Sequence, residues 1–381
     1  MTSTAPTKLV RATKTFVDNS GLLVVGTAIA LVWCNLDRDG YYGFAHSIQF
    51  LVNDIGMVFF FALAAKEVTE ATAPGGALHS PKRAAMPLAA AVGGMVGPAL
   101  LFLWMTMALD RPDLERGWAI PCATDIAFSY LVARIVFGAK HPAIPFLLLL
   151  AIADDALGLL IIAAFYPSGI FRPIDFSVLL ASGMLVAWWL ARRGTKTFWP
   201  YLVTAGVLSW IGFLRGGLHP ALALVPIVPL MPHAARDRGL FIDAPDAHDT
   251  LNEFEHTFKR PVAAMLFFFG LANAGVTFGN AGTGTWLVVV AILAGKPIGI
   301  SAAVFVSWLG GLQLPRDVTW RDMIVVGIIA AIGFTVALFF ATAAFPYGRL
   351  LDETKLGALL SGGAVLVGFA AARALRVGRF S

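Results

Sequence analysis

Long apolar runs separated by short polar stretches recur along most of the chain. A helix needs roughly 20 apolar residues to cross the hydrocarbon core of a bilayer, and most runs reach or approach that length. The pattern predicts an all-α polytopic membrane protein with about twelve transmembrane helices in a single domain, 1–381. The eighth run is short and contains Pro226 and Pro229. The predicted spans are 20–36, 49–71, 84–107, 117–137, 142–166, 174–192, 198–214, 219–231, 261–278, 286–309, 321–345 and 355–375.

The basic residues between these runs follow a topological pattern. With the N-terminus in the cytoplasm, the cytoplasmic side carries 19 Lys and Arg residues and the outer side carries 7. Because basic loops tend to remain in the cytoplasm, we expect both termini there, together with a basic segment, 1–18, and a polar loop, 232–260. This topology accounts for the net charge of +5 without a nucleic-acid partner, so the expected partner is membrane lipid.

The composition also fits a protein that faces lipid. Hydrophobic residues make up 58% of the chain, charged residues make up 13%, and the mean hydropathy is +0.77. In a soluble domain, about 25% of the residues are charged. The two cysteines, Cys34 and Cys122, both lie in predicted spans. A disulfide framework and a thiolate metal site are therefore excluded, and no cofactor is expected.

Four charged residues lie near the middle of predicted spans: Asp125, Asp154, Asp155 and Lys296. Each costs roughly 2.5–3.5 kcal/mol at mid-bilayer, so we expect the four to share one polar site. A buried ion pair that only holds helices together explains the lysine and one aspartate. At least one other carboxylate lacks a basic partner at that depth, and it has to be protonated, hydrated or occupied by a cation. Those three states are the working states of a cation/proton exchanger.

Two of the predicted spans, the fourth and the eleventh, contain residues that interrupt helices. The fourth contains Pro121, followed by Thr124 and Asp125, which are able to cap freed backbone groups, and the eleventh contains Gly333. Paired interruptions predict two discontinuous helices that cross at mid-membrane within inverted repeats. Asp125 is then expected to offset the positive partial charge of the helix N-termini that meet at the crossing. Lys296 is expected to offset the negative partial charge of the C-termini. The predicted repeats cover about 84–166 and 286–375.

The buried charges also suggest two other classes of membrane protein. An intramembrane aspartyl protease needs two aspartates on different helices that share a water, and Asp125 and Asp155 match this requirement by residue type alone. The chain has no Gly-x-Gly-Asp motif, however, and Lys296 would disturb the sharing of a proton. A sodium-coupled symporter of an organic anion needs an anion-binding feature near the helix crossing, and Asp125 opposes one. We therefore expect a secondary active transporter and not an enzyme, with the symporter as the alternative.

Five motifs stand out along the chain: Gly117-Trp-Ala-Ile-Pro-Cys-Ala-Thr-Asp-Ile-Ala-Phe128, Ala153-Asp-Asp155, Ala272-Asn-Ala-Gly-Val276, Gly295-Lys-Pro-Ile-Gly299 and Gly333-Phe-Thr335. Together they resemble the motifs of the NhaA-type sodium/proton antiporters of bacteria, in the same order and from about residue 18 to the last span. The resemblance implies a protein of the bacterial inner membrane that exchanges cytoplasmic Na⁺ or Li⁺ for external protons. It further implies that the exchange moves net charge and is activated at alkaline pH.

The resemblance also implies roles for residues of the transport site. Asp154 and Asp155 match the family's cation- and proton-binding pair, and Lys296 matches the lysine that pairs with the first of them. Asp125, with Thr124 beside it, matches the acidic residue at the helix crossing. Na⁺, Li⁺ and protons are transported substrates in this family, so no resident cofactor is implied.

Three residues are implied in the response to pH. Glu67 matches a carboxylate in the family's cytoplasmic funnel, and His219 matches a pH-linked histidine, although it would also serve simply to cap the short eighth span. Lys66 stands where the family usually has an apolar residue. It is expected either to reach the cytoplasmic surface or to pair with Glu67 and alter the pH response. The link 34–53 is shorter than in well-known members, which place a dimer-contact β-hairpin there, so a homodimer is left open.

Overall fold

The computed structural model describes residues 21–233 and 249–380, and within these ranges it contains helices and no strands. Short π-helical and 3-10 turns interrupt or connect several helices. The α-helices are α1 (Gly21–Leu36), α2 (Arg38–Phe50), α3 (Met57–Thr72), α4 (Pro81–Ala108), α5 (Ile126–Phe137), α6 (Ala143–Phe165), α7 (Pro173–Arg192), α8 (Val207–Gly216), α9 (Thr250–Asn273), α10 (Thr283–Val290), α11 (Lys296–Leu309), α12 (Trp320–Ala330), α13 (Phe334–Ala344), α14 (Arg349–Leu360) and α15 (Ala364–Leu375).

Length and hydropathy identify the helices that are able to cross a membrane. Among the described residues, 6 helical stretches are long and apolar enough, and the number rises to 8 when each of two bent helix pairs counts as one span. α1 and the helix Tyr201–Gly216 are shorter apolar helices. These features confirm the predicted all-α, multi-pass membrane fold.

The interruptions predicted in the fourth and eleventh spans are both present. The segment Pro112–Cys122 is bent by 54° relative to α5, and α12 is bent by 49° relative to α13. In each case three non-helical residues separate the two parts, at 123–125 and 331–333. The predicted pair of discontinuous helices is therefore confirmed.

The eighth predicted span, 219–231, is not an α-helix. It forms two 3-10 turns, Pro220–Leu222 and Val228–Leu230, joined by further turns. The three prolines of this segment have no N–H to donate to a helical ladder. Non-helical backbone is tolerated at membrane depth where protein covers it. This segment meets that condition, because its buried residues include Ala221, Leu222, Ala223, Leu224, Ile227 and Val228.

Two polar connections are more helical than expected. Arg38–Thr72 is one helical stretch with a π turn at Leu51–Gly56, so most of the link 34–53 is helix. α9 begins at Thr250, where the Asp249 carboxylate accepts a hydrogen bond from the Asn252 amide at 2.8 Å. The last part of the predicted loop 232–260 is therefore helical. Residues 234–248 of that loop and the basic segment 1–18 lie outside the described residues.

A close crossing with α4 holds the helix that begins at Lys296. A Cβ atom added to Gly97 of α4 would lie 2.7 Å from the Gly299 Cα, and one added to Gly295 would lie 2.7 Å from the Pro98 Cα. Glycine at these positions lets the two backbones touch, as small residues do at other interfaces between membrane helices. The crossing places Lys296 in the protein interior, where its side chain is fully buried.

Candidate functional site

Asp125 lies where the two broken helices cross. It is the N-cap of α5, and its Oδ1 accepts a hydrogen bond from the Phe128 amide at 3.3 Å. Its Oδ2 accepts one from the Thr335 amide at 3.3 Å and a short one from the Thr335 hydroxyl. Two helix N-termini, those of α5 and α13, therefore direct their positive partial charges at one carboxylate. This is the arrangement expected for Asp125 at the crossing.

Hydrogen bonds also join the backbones of the two breaks. The Asp125 amide donates to the Ile332 carbonyl at 2.6 Å, and the Thr124 hydroxyl donates to the Ala330 carbonyl at 3.0 Å. The Ser129 hydroxyl donates to the Ile329 carbonyl at 3.0 Å. The last carbonyls of a helix lack the usual amide donor four residues later, so donors from the other break supply further hydrogen bonds to them. The two breaks thus complete each other's hydrogen bonding.

Lys296 joins the crossing to α6. Its Nζ lies 3.0 Å from Asp154 Oδ2, and both side chains are almost completely buried. The same ammonium donates a short hydrogen bond to the Cys122 carbonyl, at the end of the first half-helix. The expectation that Lys296 offsets both C-termini needs a correction, because the Ala330 carbonyl of the second half-helix is bonded to Thr124 instead.

Asp154 and Asp155 follow each other near the middle of α6, and consecutive helical side chains diverge by about 100°. Asp154 is 2% exposed, and its Oδ1 is buried without a hydrogen-bond partner. Asp155 is half-buried and has no ion pair or hydrogen bond to a side chain or amide within the described residues. The pair therefore presents carboxylate oxygens that the protein leaves unoccupied.

One cavity brings these oxygens together. Its lining includes Asp154, Asp155 and Thr124, with apolar walls from α3 and α4 that contain Phe60, Phe61 and Met95. Asp125 and Lys296 do not line the cavity, but Lys296 forms an ion pair with Asp154 of its lining, and Asp125 directly follows Thr124 in the chain. All five residues predicted for the transport site thus lie in one connected cluster.

The residues predicted for the pH response are spread more widely. Lys66 is buried and forms ion pairs with Glu70 at 2.7 Å and with Glu255 at 2.6 Å. It neither reaches the surface nor forms an ion pair with Glu67, so both expected positions of its side chain were wrong, and its part in the pH response stays a prediction. The physical reason is the start of α9 at Thr250, which places Glu255 on a helix facing α3. Glu67 is partly buried on the same helix.

His219 lies apart from the transport carboxylates. Its Nδ1 accepts a hydrogen bond from the Ala221 amide at 3.4 Å, which caps the first 3-10 turn of the eighth segment. Its ring centroid lies 4.8 Å from that of Phe339 on α13. The capping contact that the sequence suggested is present, and the ring also touches the second broken helix.

Sequence reasoning missed two side chains that hold the crossing together, Thr335 and Ser129. Thr335 was recognised only as part of a motif, and Ser129 was not recognised at all. A signal for Thr335 existed, because a hydroxyl at the first turn after a helix break is well placed to meet a charge at that break. Ser129 gave no such signal, since serine is frequent in membrane helices and often bonds to its own backbone.

Discontinuous helices that cross at a buried, charged site define the class of secondary membrane transporters. A family model for Na⁺/H⁺ antiporter 1 matches residues 11–374. Two similar proteins are Na⁺/H⁺ antiporters NhaA: one from Desulfitobacterium hafniense, 47% identical over 93% of this chain and 94% of its own, and one from Geobacter sulfurreducens, 46% identical over 94% and 96%. The chain belongs to this Na⁺/H⁺ antiporter family.

A solved structure shares the fold. The sodium proton antiporter MjNhaP1 from Methanocaldococcus jannaschii superposes with a TM-score of 0.54 at 13% identity, covering 94% of this chain and 92% of that one. At this identity the likeness concerns the fold alone, and it agrees with the helical architecture described above.

Proposed function

We propose that the protein exchanges cytoplasmic Na⁺ or Li⁺ for external protons at Asp154 and Asp155, by alternating access and with movement of net charge. The observation that carries the proposal is that carboxylate oxygens of this pair have no hydrogen-bond or ion-pair partner within the described residues. Asp154 Oδ1 is buried without a partner, and Asp155 beside it has no basic neighbour within 4 Å in the described chain. An unpaired buried carboxylate is stable only when it holds a proton, water or a cation.

Competition for the same oxygens would couple the two fluxes. Sodium is a hard cation that binds oxygen ligands, and the cavity offers the two carboxylates and the Thr124 hydroxyl. A proton on either carboxylate removes a negative charge that sodium needs, and bound sodium in turn disfavours protonation. When the occupied site reorients and the empty site does not, each ion drives the other in the opposite direction.

Net charge moves if more than one carboxylate takes up a proton as one Na⁺ leaves. Asp154 lies 3.0 Å from the Lys296 ammonium, and protonation of Asp154 in addition to Asp155 would take up two protons as one Na⁺ leaves, which would move one net charge. The crossing of the broken helices lies next to the site and is the element that would move during alternating access. We place the protein in the bacterial inner membrane with both termini cytoplasmic, where such an exchange would serve sodium and pH homeostasis.

The test uses everted membrane vesicles with an imposed pH gradient and a pH-sensitive dye. Addition of Na⁺, Li⁺ or K⁺ between pH 6 and 9 is expected to collapse the gradient for Na⁺ and Li⁺, with Asp155→Asn as the inactive control. Faster exchange after the membrane potential is clamped with valinomycin and K⁺ would support movement of net charge. Folded protein that responds to no cation at any pH would contradict the proposal.

The symporter alternative makes a different prediction for the same vesicles. An anionic substrate would be expected at the convergent N-termini of α5 and α13, but the Asp125 carboxylate already accepts their hydrogen bonds. Sodium-dependent uptake of an organic anion, without a proton flux that depends on sodium, would favour the symporter over the antiporter.

A further inference from the structure

From its third residue onward, most of α14 is buried on every side although it is strongly polar. Residues 351–358 are all buried, and they include Asp352, Glu353, Thr354 and Lys355. Charged groups are costly to bury unless they have partners. The partners of this segment therefore indicate what it does, and none of these residues belongs to the transport site described above.

Glu353, which is 2% exposed, binds the start of α10. Its Oε2 accepts a hydrogen bond from the Gly284 amide at 2.8 Å, and its backbone carbonyl accepts one from the Thr285 hydroxyl at 2.9 Å. The first amides of a helix have no intrahelical partner and carry partial positive charge, so a carboxylate stabilises them. Arg349 donates to the second carboxylate oxygen at 3.0 Å. Glu353 thus acts as a cap supplied by another helix.

Glycine at two positions makes room for this carboxylate. A Cβ added to Gly282 would lie 2.7 Å from Glu353 Oε2, and one added to Gly284 would lie 3.1 Å from Glu353 Cβ. Asp352 holds the residues just before them, since its Oδ2 accepts a hydrogen bond from Asn280 Nδ2 at 2.7 Å. Two neighbouring carboxylates of α14 therefore fix the connection that leads into α10.

The fixed helix carries the lysine of the transport site. α10 continues through a π turn, Ala291–Gly295, into α11, and Thr283–Leu309 forms one apolar span. Lys296 lies about 18 Å along that span from Gly284, given a rise of 1.5 Å per residue. α14 follows closely after α13, which holds Asp125 through Thr335. Glu353 therefore joins the Lys296 helix to the part of the chain that contains the second break.

We propose that Glu353 is a positioning residue for transport, which fixes Lys296 along its helix axis relative to Asp154 by capping α10. The inference rests on the proposed antiport function, because it assigns the cap a role in that same site. A rigid cap would keep the Lys296–Asp154 distance constant while other parts of the crossing move. A cap with a purely structural role would influence folding and leave the binding of sodium unchanged.

The variant Glu353→Gln keeps the shape of the side chain and removes the charge that holds Gly284 and Arg349. We expect the KM for Na⁺ to rise about tenfold, the low end of the effect of removing an outer-shell partner of an ion site. The kcat should change little, and the pH midpoint of exchange should shift because the Lys296–Asp154 pair is loosened. Asp175→Asn is the matched control, since it removes a carboxylate from the first turn of α7, which carries no site residue.

Gly284→Ala is a second variant, which displaces Glu353 from the other side of the contact and should give the same changes in KM and pH midpoint. Lower thermal stability of both variants in detergent, with wild-type KM and pH midpoint, would overturn the positioning role. A wild-type protein without sodium-dependent exchange would contradict the proposed function instead. In that case, the Na⁺ affinity of each protein is measured as the Na⁺ concentration that stabilises it against thermal unfolding. Equal affinities for wild type and Glu353→Gln would overturn the positioning role.

Discussion

At the scale of the residue, one carboxylate connects the two broken helices. Asp125 caps α5 and accepts two hydrogen bonds from Thr335 at the start of α13. The crossing is therefore sensitive to the protonation of Asp125, because the neutral acid is a weaker acceptor for the amides of both helices. Thr335 is the contact through which such a change would be transmitted to α13.

Thr335→Val is expected to lower both stability and transport. The substitution removes a hydroxyl donor to a charged group, and such a hydrogen bond contributes about 1.5–3 kcal/mol. Chemical unfolding in detergent should show that loss, and sodium-dependent exchange in vesicles should slow. The control is Thr342→Val on the same helix, where the hydroxyl bonds to the Phe339 carbonyl one turn earlier and to no other group of the described residues. Equal behaviour of the two variants would contradict a specific role for Thr335.

The transport residues were predictable from sequence because a charge in a long apolar run is conspicuous. Asp154, Asp155 and Lys296 stood out by their cost in a membrane, and the structure joins them in one cluster. Lys66 was misread because its partner Glu255 is 189 positions away in sequence, on a helix that was expected to begin later. Periodicity carries no information about such distant contacts, so the ion pairs that join α3 to α9 required the structure.

At the scale of the element, apolar length predicted nearly every helix, and prolines explain the main exception. The eighth segment has enough apolar residues for a short span, yet Pro220, Pro226 and Pro229 remove three donors from a segment of thirteen positions, 219–231. The same chemistry correctly predicted a break beside Pro121, which the structure has at 123–125. Hydropathy detects burial in membrane or protein equally well, so it did not distinguish a lipid-crossing helix from turns covered by other helices.

Gly97→Ala tests the crossing that positions Lys296. The new methyl carbon would lie 2.7 Å from the Gly299 Cα, which is backbone and cannot rotate away. Overpacking of this kind costs about 1–3 kcal/mol. We expect a lower unfolding temperature and weaker sodium-dependent exchange, because α11 has to move away from α4 and takes Lys296 with it.

The control for that variant is Gly362→Ala, where an added Cβ meets nothing within 4 Å. It should retain the stability and exchange rate of the wild type. If Gly97→Ala behaves like Gly362→Ala, the two helices are free to separate without consequence, and the crossing does not determine the position of Lys296.

At the scale of the whole molecule, the direction of exchange depends on topology. The proposed binding of ions by the cluster of Asp125, Asp154, Asp155 and Lys296 does not depend on the orientation of the protein, so only the loops indicate which side is the cytoplasm. The bias of 19 basic residues over 7 predicts that 193–197 lie inside and 167–172 outside. Both stretches contain exposed positions suitable for labelling, Thr197 and Ser168.

Cysteine labelling in intact cells is the direct measurement of this topology. The native Cys34 and Cys122 are both buried, so they should contribute little background. A membrane-impermeant maleimide added outside should label Ser168→Cys and leave Thr197→Cys unlabelled until the membrane is opened, because positive charges hold the second loop in the cytoplasm. The reverse labelling would contradict the predicted orientation. The same site would then draw sodium from the opposite side, and the proposed role in sodium export would have to be abandoned even if exchange itself were observed.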